Sequence, residues 1–263
     1  MIRSLHSAAS GMEAQQTQID VIANNMANVN TTGFKKSRAE FQDLLYQEIA
    51  GATQDQVRSG NSGRPAPIEI GMGTRLVATQ KMFETGDLKQ TQNPLDVAIE
   101  GDGFLRVRLN DGSRGYSRAG DLKVIASGQV VTNHGDPLDP PIFIPPETTQ
   151  VTIEKDGTVK ALQPGDVTPV EVGRIELSQF ANPVGLKSLG HGIYIQTEGS
   201  GRPIDGRPGE DGLGELAQGF LEGSNVKVVE EMIDLIAAQR AYEINSKVIQ
   251  AADQMLGETA QLR

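Results

Sequence analysis

The sequence predicts an α+β fold: N- and C-terminal helices paired as an antiparallel coiled coil, with an extended β arm and a β-rich central domain. Three observations carry that expectation. Apolar residues recur at heptad spacing at both ends of the chain. Between the ends lie short β-type runs separated by Asp-Gly and other turn residues. A polar, Gly/Pro-containing stretch at 46–71 has the texture of an extended excursion. The domains expected are therefore 1–33 with 225–263 as a helical core, 34–74 as a linker and arm, and 75–224 as an outer β domain.

The first helix is read from Leu5, Ala8, Met12, Gln15, Ile19, Ile22, Met26 and Val29, whose steps alternate three and four. Asn30-Thr31-Thr32-Gly33 stops the run, with Gly33 placed as a left-handed cap. A helix over 2–29 would be about 40 Å long at 1.5 Å per residue. Asn24, Asn25 and Asn28, with Gln15, Gln16 and Gln18, form a row of uncharged amides where Lys and Glu would be ordinary. An amide both donates and accepts, so it tolerates its own kind across a symmetric contact, where like charges would repel. A solvated polar face accounts for the same residues.

The last helix is expected to open at Ser224 or Asn225 as N-cap, with Glu230 and Glu231 in its early turns. Val228, Leu235, Tyr242, Ile249 and Leu256 recur every seven residues, and Val229, Met232, Ile233, Ile236, Val248 and Met255 widen the stripe. That width exceeds a two-helix seam, so part of it calls for further partners.

In the middle, Asp111-Gly112 and Asp156-Gly157 predict hairpin turns. Pro140-Pro141 and Pro145-Pro146 bracket "IFI", which suits an edge or connecting segment.

Composition narrows function. The 263 residues carry 34 acidic and 24 basic side chains, a net charge of -10, and no basic cluster longer than Lys35-Lys36, so nucleic acid is not an expected partner. Cysteine is absent, which excludes disulfides, thiolate metal sites and cysteine nucleophiles. No run approaches the roughly 20 apolar residues of a transmembrane helix, and the N-terminus does not have the form of a secretory signal peptide. His6, His134 and His191 lie far apart in sequence without a second ligand at i+3 or i+4. Gly101-Asp102-Gly103 lacks the third glycine of a dinucleotide loop. "GEDGLGEL" has too few spaced oxygen ligands for calcium. No catalytic residue, cofactor or metal is expected. The candidate residues are instead assembly contacts: Leu5, Met12, Ile19, Ile22, Asn24, Asn25, Met26, Asn28, Val29, Met232, Leu235, Ile236, Tyr242, Ile249, Met255 and Leu256.

"ANNMANVNTTGFKKSRAEFQDLL" and "LEGSNVKVVEEMIDLIAAQRAYEINSKVIQAADQML" resemble the paired terminal signatures of the bacterial flagellar rod and hook family, and "PLDVAIEGDGFLRV" resembles its middle. Leu105 departs from the pattern, where a second Phe is common. The length and "LLYQEIAG…IEIGMGTRLVAT" are most similar to the distal-rod branch. The resemblance implies a structural subunit that stacks helically with copies of itself into a hollow, rigid shaft carrying torque through the periplasm and outer membrane. It implies as partners the proximal rod proteins, the hook protein, the peptidoglycan and outer-membrane ring proteins as bushing, and the flagellar type III export apparatus. Export without a cleavable signal fits the absence of such a segment.

Overall fold

The computed structural model describes residues 2–50, 67–165 and 168–261, so most of the 46–71 excursion lies outside the described residues. Two long helices and a strand-rich body make an α+β chain that divides into two compact units.

The first unit draws on residues 1–26, 37–80 and 228–263. It holds α1 (Ile2–Ala27), β1 (Ser37–Asp43), β2 (Tyr46–Ala50), β3 (Ile68–Gly71), β4 (Thr74–Lys81) and α2 (Val228–Gln261). β1 pairs with β4, and β2 pairs antiparallel with β3. Small polar residues let strand backbone approach α1: Ser10 Oγ donates to the Ser7 carbonyl and accepts from Thr74 N–H at 3.3 Å. No helix among the described residues is long and apolar enough to cross a membrane.

The second unit comprises 27–36 and 81–227. Its strands are β5 (Leu88–Gln90), β6 (Val97–Glu100), β7 (Phe104–Arg108), β8 (Arg114–Ser117), β9 (Lys123–Val124), β10 (Val130–Val131), β11 (Gln150–Ile153) and β12 (Thr158–Leu162). They continue with β13 (Val170–Arg174), β14 (Leu177–Gln179), β15 (Lys187–Gly190), β16 (Ile193–Ile195), β17 (Ile204–Gly206), β18 (Glu215–Gln218) and β19 (Phe220–Glu222). The largest sheet runs β15-β16-β8-β7-β14-β17 and is antiparallel throughout. Both Asp-Gly turns close hairpins, β7 to β8 and β11 to β12, with the glycines at φ 82 and 84.

β7 shows why the body is dense. Leu105 and Val107 face a core with Val97, Ile99, Leu122, Leu177 and Leu216, while Phe104 belongs to an aromatic cluster with Tyr116, Phe180 and Tyr194. A strand buried on both faces loses the polar alternation of a surface strand. Each fully buried aliphatic side chain contributes about 1.5–3 kcal/mol. "IFI" alternates as a connecting segment should, with Ile142 and Ile144 buried and Phe143 exposed.

Two expected helix boundaries are corrected. α1 ends at Ala27, and Gly33, although left-handed at φ 66, donates its N–H to the Glu222 carbonyl at 2.8 Å and not to α1. A Cβ at Gly33 would meet Ala119 N at 2.7 Å, so close backbone approach requires glycine there. α2 begins at Val228, and Asn225 is no N-cap. Its Oδ1 accepts from Lys36 N–H and its Nδ2 donates to the Met82 carbonyl, both at 2.8 Å. Met82 N–H in turn donates to the Lys36 carbonyl.

Candidate assembly surface

On α2, burial recurs at Glu231, Leu235, Ala238, Ala241, Asn245, Ile249, Ala252 and Leu256, in steps of three or four, whereas Tyr242 is exposed. At 100° per residue these positions share one face. On the opposite face Val229, Met232, Ile233, Ile236, Ile244, Val248 and Met255 are exposed, Ile233 to 61 %. The helix therefore carries apolar side chains on two faces, and among the described residues only one of them is covered. Leu45, just before β2, and the strand residues Tyr46, Ile49, Ile68, Ile70 and Val77 of the same unit add more exposed apolar surface. A two-stranded ladder such as β2–β3 is marginal alone, and side chains of this kind ordinarily lie under a neighbour.

The candidate residues separate accordingly. Ile22 is buried; Leu5, Met12, Ile19, Met26 and Val29 are half-buried along α1 and just past it, as are Leu235, Ile249 and Leu256 on α2. Met232, Ile236 and Met255 lie on the uncovered face of α2. Asn24 is exposed and Asn28 half-buried, and both make interactions within the chain.

Asn25 does not belong to an exposed amide row. It is 2 % exposed; its Nδ2 donates to the Ser37 carbonyl at 2.9 Å and to Glu231 Oε2 at 3.1 Å, and its Oδ1 accepts from Ser37 N–H at 2.9 Å. Glu231 is 5 % exposed in the first turn of α2, where the helix dipole favours its charge. Further along, a Cβ at Gly11 would stand 2.9 Å from Asn245 Nδ2. Hydrophobicity alone does not find Gly11, Glu231, Ala238, Asn245 and Ala252, because each is small or polar.

Sequence reading also misses a buried charge cluster in the β unit. Lys35 Nζ donates to Glu222 Oε1 and to the Glu84 carbonyl, both at 2.6 Å. Arg118 Nε donates to Glu222 Oε2 at 2.9 Å, and its Nη1 donates to the Gly101 and Gly103 carbonyls. Gly86 N–H donates to Glu222 Oε1 at 2.9 Å. Lys35 and Glu222 have no exposed side-chain surface. Burial pulls the Lys35 amine below its usual range despite the pull of Glu222. For Glu222, burial pushes the carboxyl up, but the Arg118 and Lys35 charges outweigh it and hold it below the usual carboxylate range. Burial pushes the neighbouring Tyr194 phenol up to about 12.

Little here resembles a chemical site. An open cleft of about 570 Å³ between Leu95, Val124, Ile125, Ile144 and Pro145 has Glu147 as its only ionisable lining group. His134 and His191, distant in sequence, bring their rings to 4.3 Å, but among the described residues no group of three or more His, Cys, Asp or Glu side chains is placed to hold a metal.

Residues 5–35 match the family described as flagella basal body rod protein, 98–161 the flagellar hook protein FlgE/F/G D1 domain, and 217–262 the flagellar basal body rod FlgEFG protein C-terminal family. A flagellar basal-body rod protein FlgG of Borreliella burgdorferi is 48 % identical over 259 residues, covering 98 % of this chain and 97 % of that one. The FlgG protein of Caulobacter vibrioides is 45 % identical over 262 residues and that of Bacillus subtilis 37 % over 268, each covering 100 % of both chains. The chain belongs to the flagellar basal-body rod protein family. It is thus one of a family of structural rod proteins and not of enzymes. Its rod-family signatures coincide with α1 and with the β19–α2 region, the latter carrying the exposed apolar face.

Proposed function

We propose that this chain is a subunit of the distal rod, polymerising helically with its own copies into a hollow, rigid shaft that carries torque from motor to hook. The observation that carries the reading is the second apolar face of α2, from Val229 to Met255, on a chain whose full-length relatives are rod proteins. In this reading α1 and α2 pair antiparallel as a coiled coil, with Asn25 against Glu231 and Gly11 against Asn245, and the outer face of α2 meets neighbouring copies. The exposed apolar side chains of β2 and β3 support an arm laid on an adjacent subunit.

The seam is rich in small and polar residues, so the helices order fully only on assembly, when the second face is also covered. Circular dichroism of the soluble chain showing both helices complete would count against that coupling. The shaft lies in the periplasm, runs through the peptidoglycan and outer-membrane rings, meets the proximal rod proteins below and the hook protein above, and is built from subunits delivered by the flagellar type III export apparatus. Purified hook–basal bodies carrying an epitope tag after Glu210 test the placement. Label on the shaft between inner ring and hook is expected; label on the hook would reassign the chain to another branch, and unlabelled particles would remove it from the shaft.

A further inference from the structure

Two helix-to-helix approaches among the described residues obey one rule: the residue numbers 11 and 245, and 25 and 231, sum to the same value, 256. A constant sum is the mark of an antiparallel pair in a single register. Each partner lies two heptads from the next on its own helix. The apolar residues cannot choose that register. Leu235, Tyr242, Ile249 and Leu256 repeat every seven residues, so sliding one helix by a heptad presents the same apolar pattern again.

We propose that the buried pair Asn25–Glu231, assisted by the Gly11–Asn245 contact, is the register lock of the helical seam. This rests on the antiparallel pairing proposed above. In the observed register Asn25 uses both amide hydrogens and its oxygen, and the Glu231 carboxylate has a donor. A one-heptad slide in one direction sets Asn25 against Ala238 and leaves Glu231 opposite position 32, beyond the end of α1. It also drives Asn245 from Gly11 onto the longer Gln18. A slide the other way puts Glu231 opposite Gln18 and Asn25 opposite position 224, before α2 begins. Either slide strands the pair, and an unpaired buried charge costs far more than an apolar mismatch. The pair selects register where the apolar stripe is indifferent. Gly11 adds a steric term, since a Cβ there would stand 2.9 Å from Asn245 Nδ2 and the amide would have to shift.

Because the chain has no cysteine, disulfide trapping in assembled particles of the full chain reads the register directly. By the same rule Gln15 neighbours Ala241, and a one-heptad slide brings it to Val248. Chains carrying Gln15→Cys with Ala241→Cys report the native register, and Gln15→Cys with Val248→Cys the slipped one. Oxidation is expected to bridge only the first pair. With Asn25→Leu and Glu231→Leu added, the slipped bridge should rise from background to within about tenfold of the native one. If the double-leucine chain still bridges only the native pair, the lock is elsewhere and the proposal falls. Loss of both bridges in that chain would overturn it too, since the pair would then hold the seam together without selecting among registers. Absence of the native bridge from the parent would instead refute the antiparallel pairing itself.

Discussion

Replacing Glu222 with Gln tests the buried charge cluster most directly. The substitution keeps the shape of the side chain and removes the one anion that faces both Lys35 and Arg118. The Lys35 ammonium would keep the Glu84 carbonyl at 2.6 Å, and Arg118 the Gly101 and Gly103 carbonyls, but both charges would remain buried without a counter-charge. Removing one partner of a buried pair costs about 3–5 kcal/mol. In a unit of this size 1 kcal/mol moves the midpoint by about 2–4 °C, so a fall on the order of 10 °C is expected. Urea and thermal unfolding of the soluble chain, followed by near-ultraviolet circular dichroism of the tyrosines, are the assays. Acid provides an independent check. Glu222 has its folded pKa depressed, so its contribution is fully present above the unfolded carboxylate value near 4.5 and is lost as pH falls through the lower folded value. The parent should therefore lose stability below about pH 4.5, and Glu222→Gln should lose less over the same window. Adding Lys35→Met to Glu222→Gln should recover part of the loss by removing one stranded charge. A Glu222→Gln chain within about 1 kcal/mol of the parent at neutral pH would refute the argument.

Asp at Ile233 or Ile244 should abolish incorporation into particles, seen by electron microscopy, while leaving the unfolding of the β unit unchanged, because both side chains are exposed in the single chain. Asp at Leu235 or Ile249, on the covered face, should abolish incorporation and also lower helicity, and normal incorporation would deny the seam. Gly33→Ala should destabilise the β unit by about 1–3 kcal/mol in urea, since a left-handed φ and backbone at 2.7 Å leave a methyl group no room.

Much of the architecture was legible in the residues. Heptads announced both helices, and Asp111-Gly112 and Asp156-Gly157 marked two hairpins, because these signals are local and depend on backbone geometry alone. The face of α2 that the chain covers was only half legible. Leu235, Ile249 and Leu256 stood out, whereas Ala238 and Ala252, buried, and Asn245, half-buried, owe their cover to close approach and not to apolar bulk. Asn25 misled for a related reason: an amide looks solvated until its three partners are known, and Glu231 lies 206 positions away. Lys35, Arg118 and Glu222 gave no signal at all. Their meeting depends on the full topology of the β unit, with 187 positions between Lys35 and Glu222.

Asn225 has a mechanical consequence. The chain leaves the β unit after Lys36, returns at Lys81 and leaves again after Lys227, and one amide binds the backbones of Lys36 and Met82, while its own N–H donates to the Phe34 carbonyl. Three of the four crossings of the polypeptide are stapled at a single knot. A pull arriving along any one of them is shared with the other two before it reaches a sheet, so no strand is peeled from its edge alone. In a structural subunit of a rod, spreading strain at the point of entry would matter more than the depth of any one energy well.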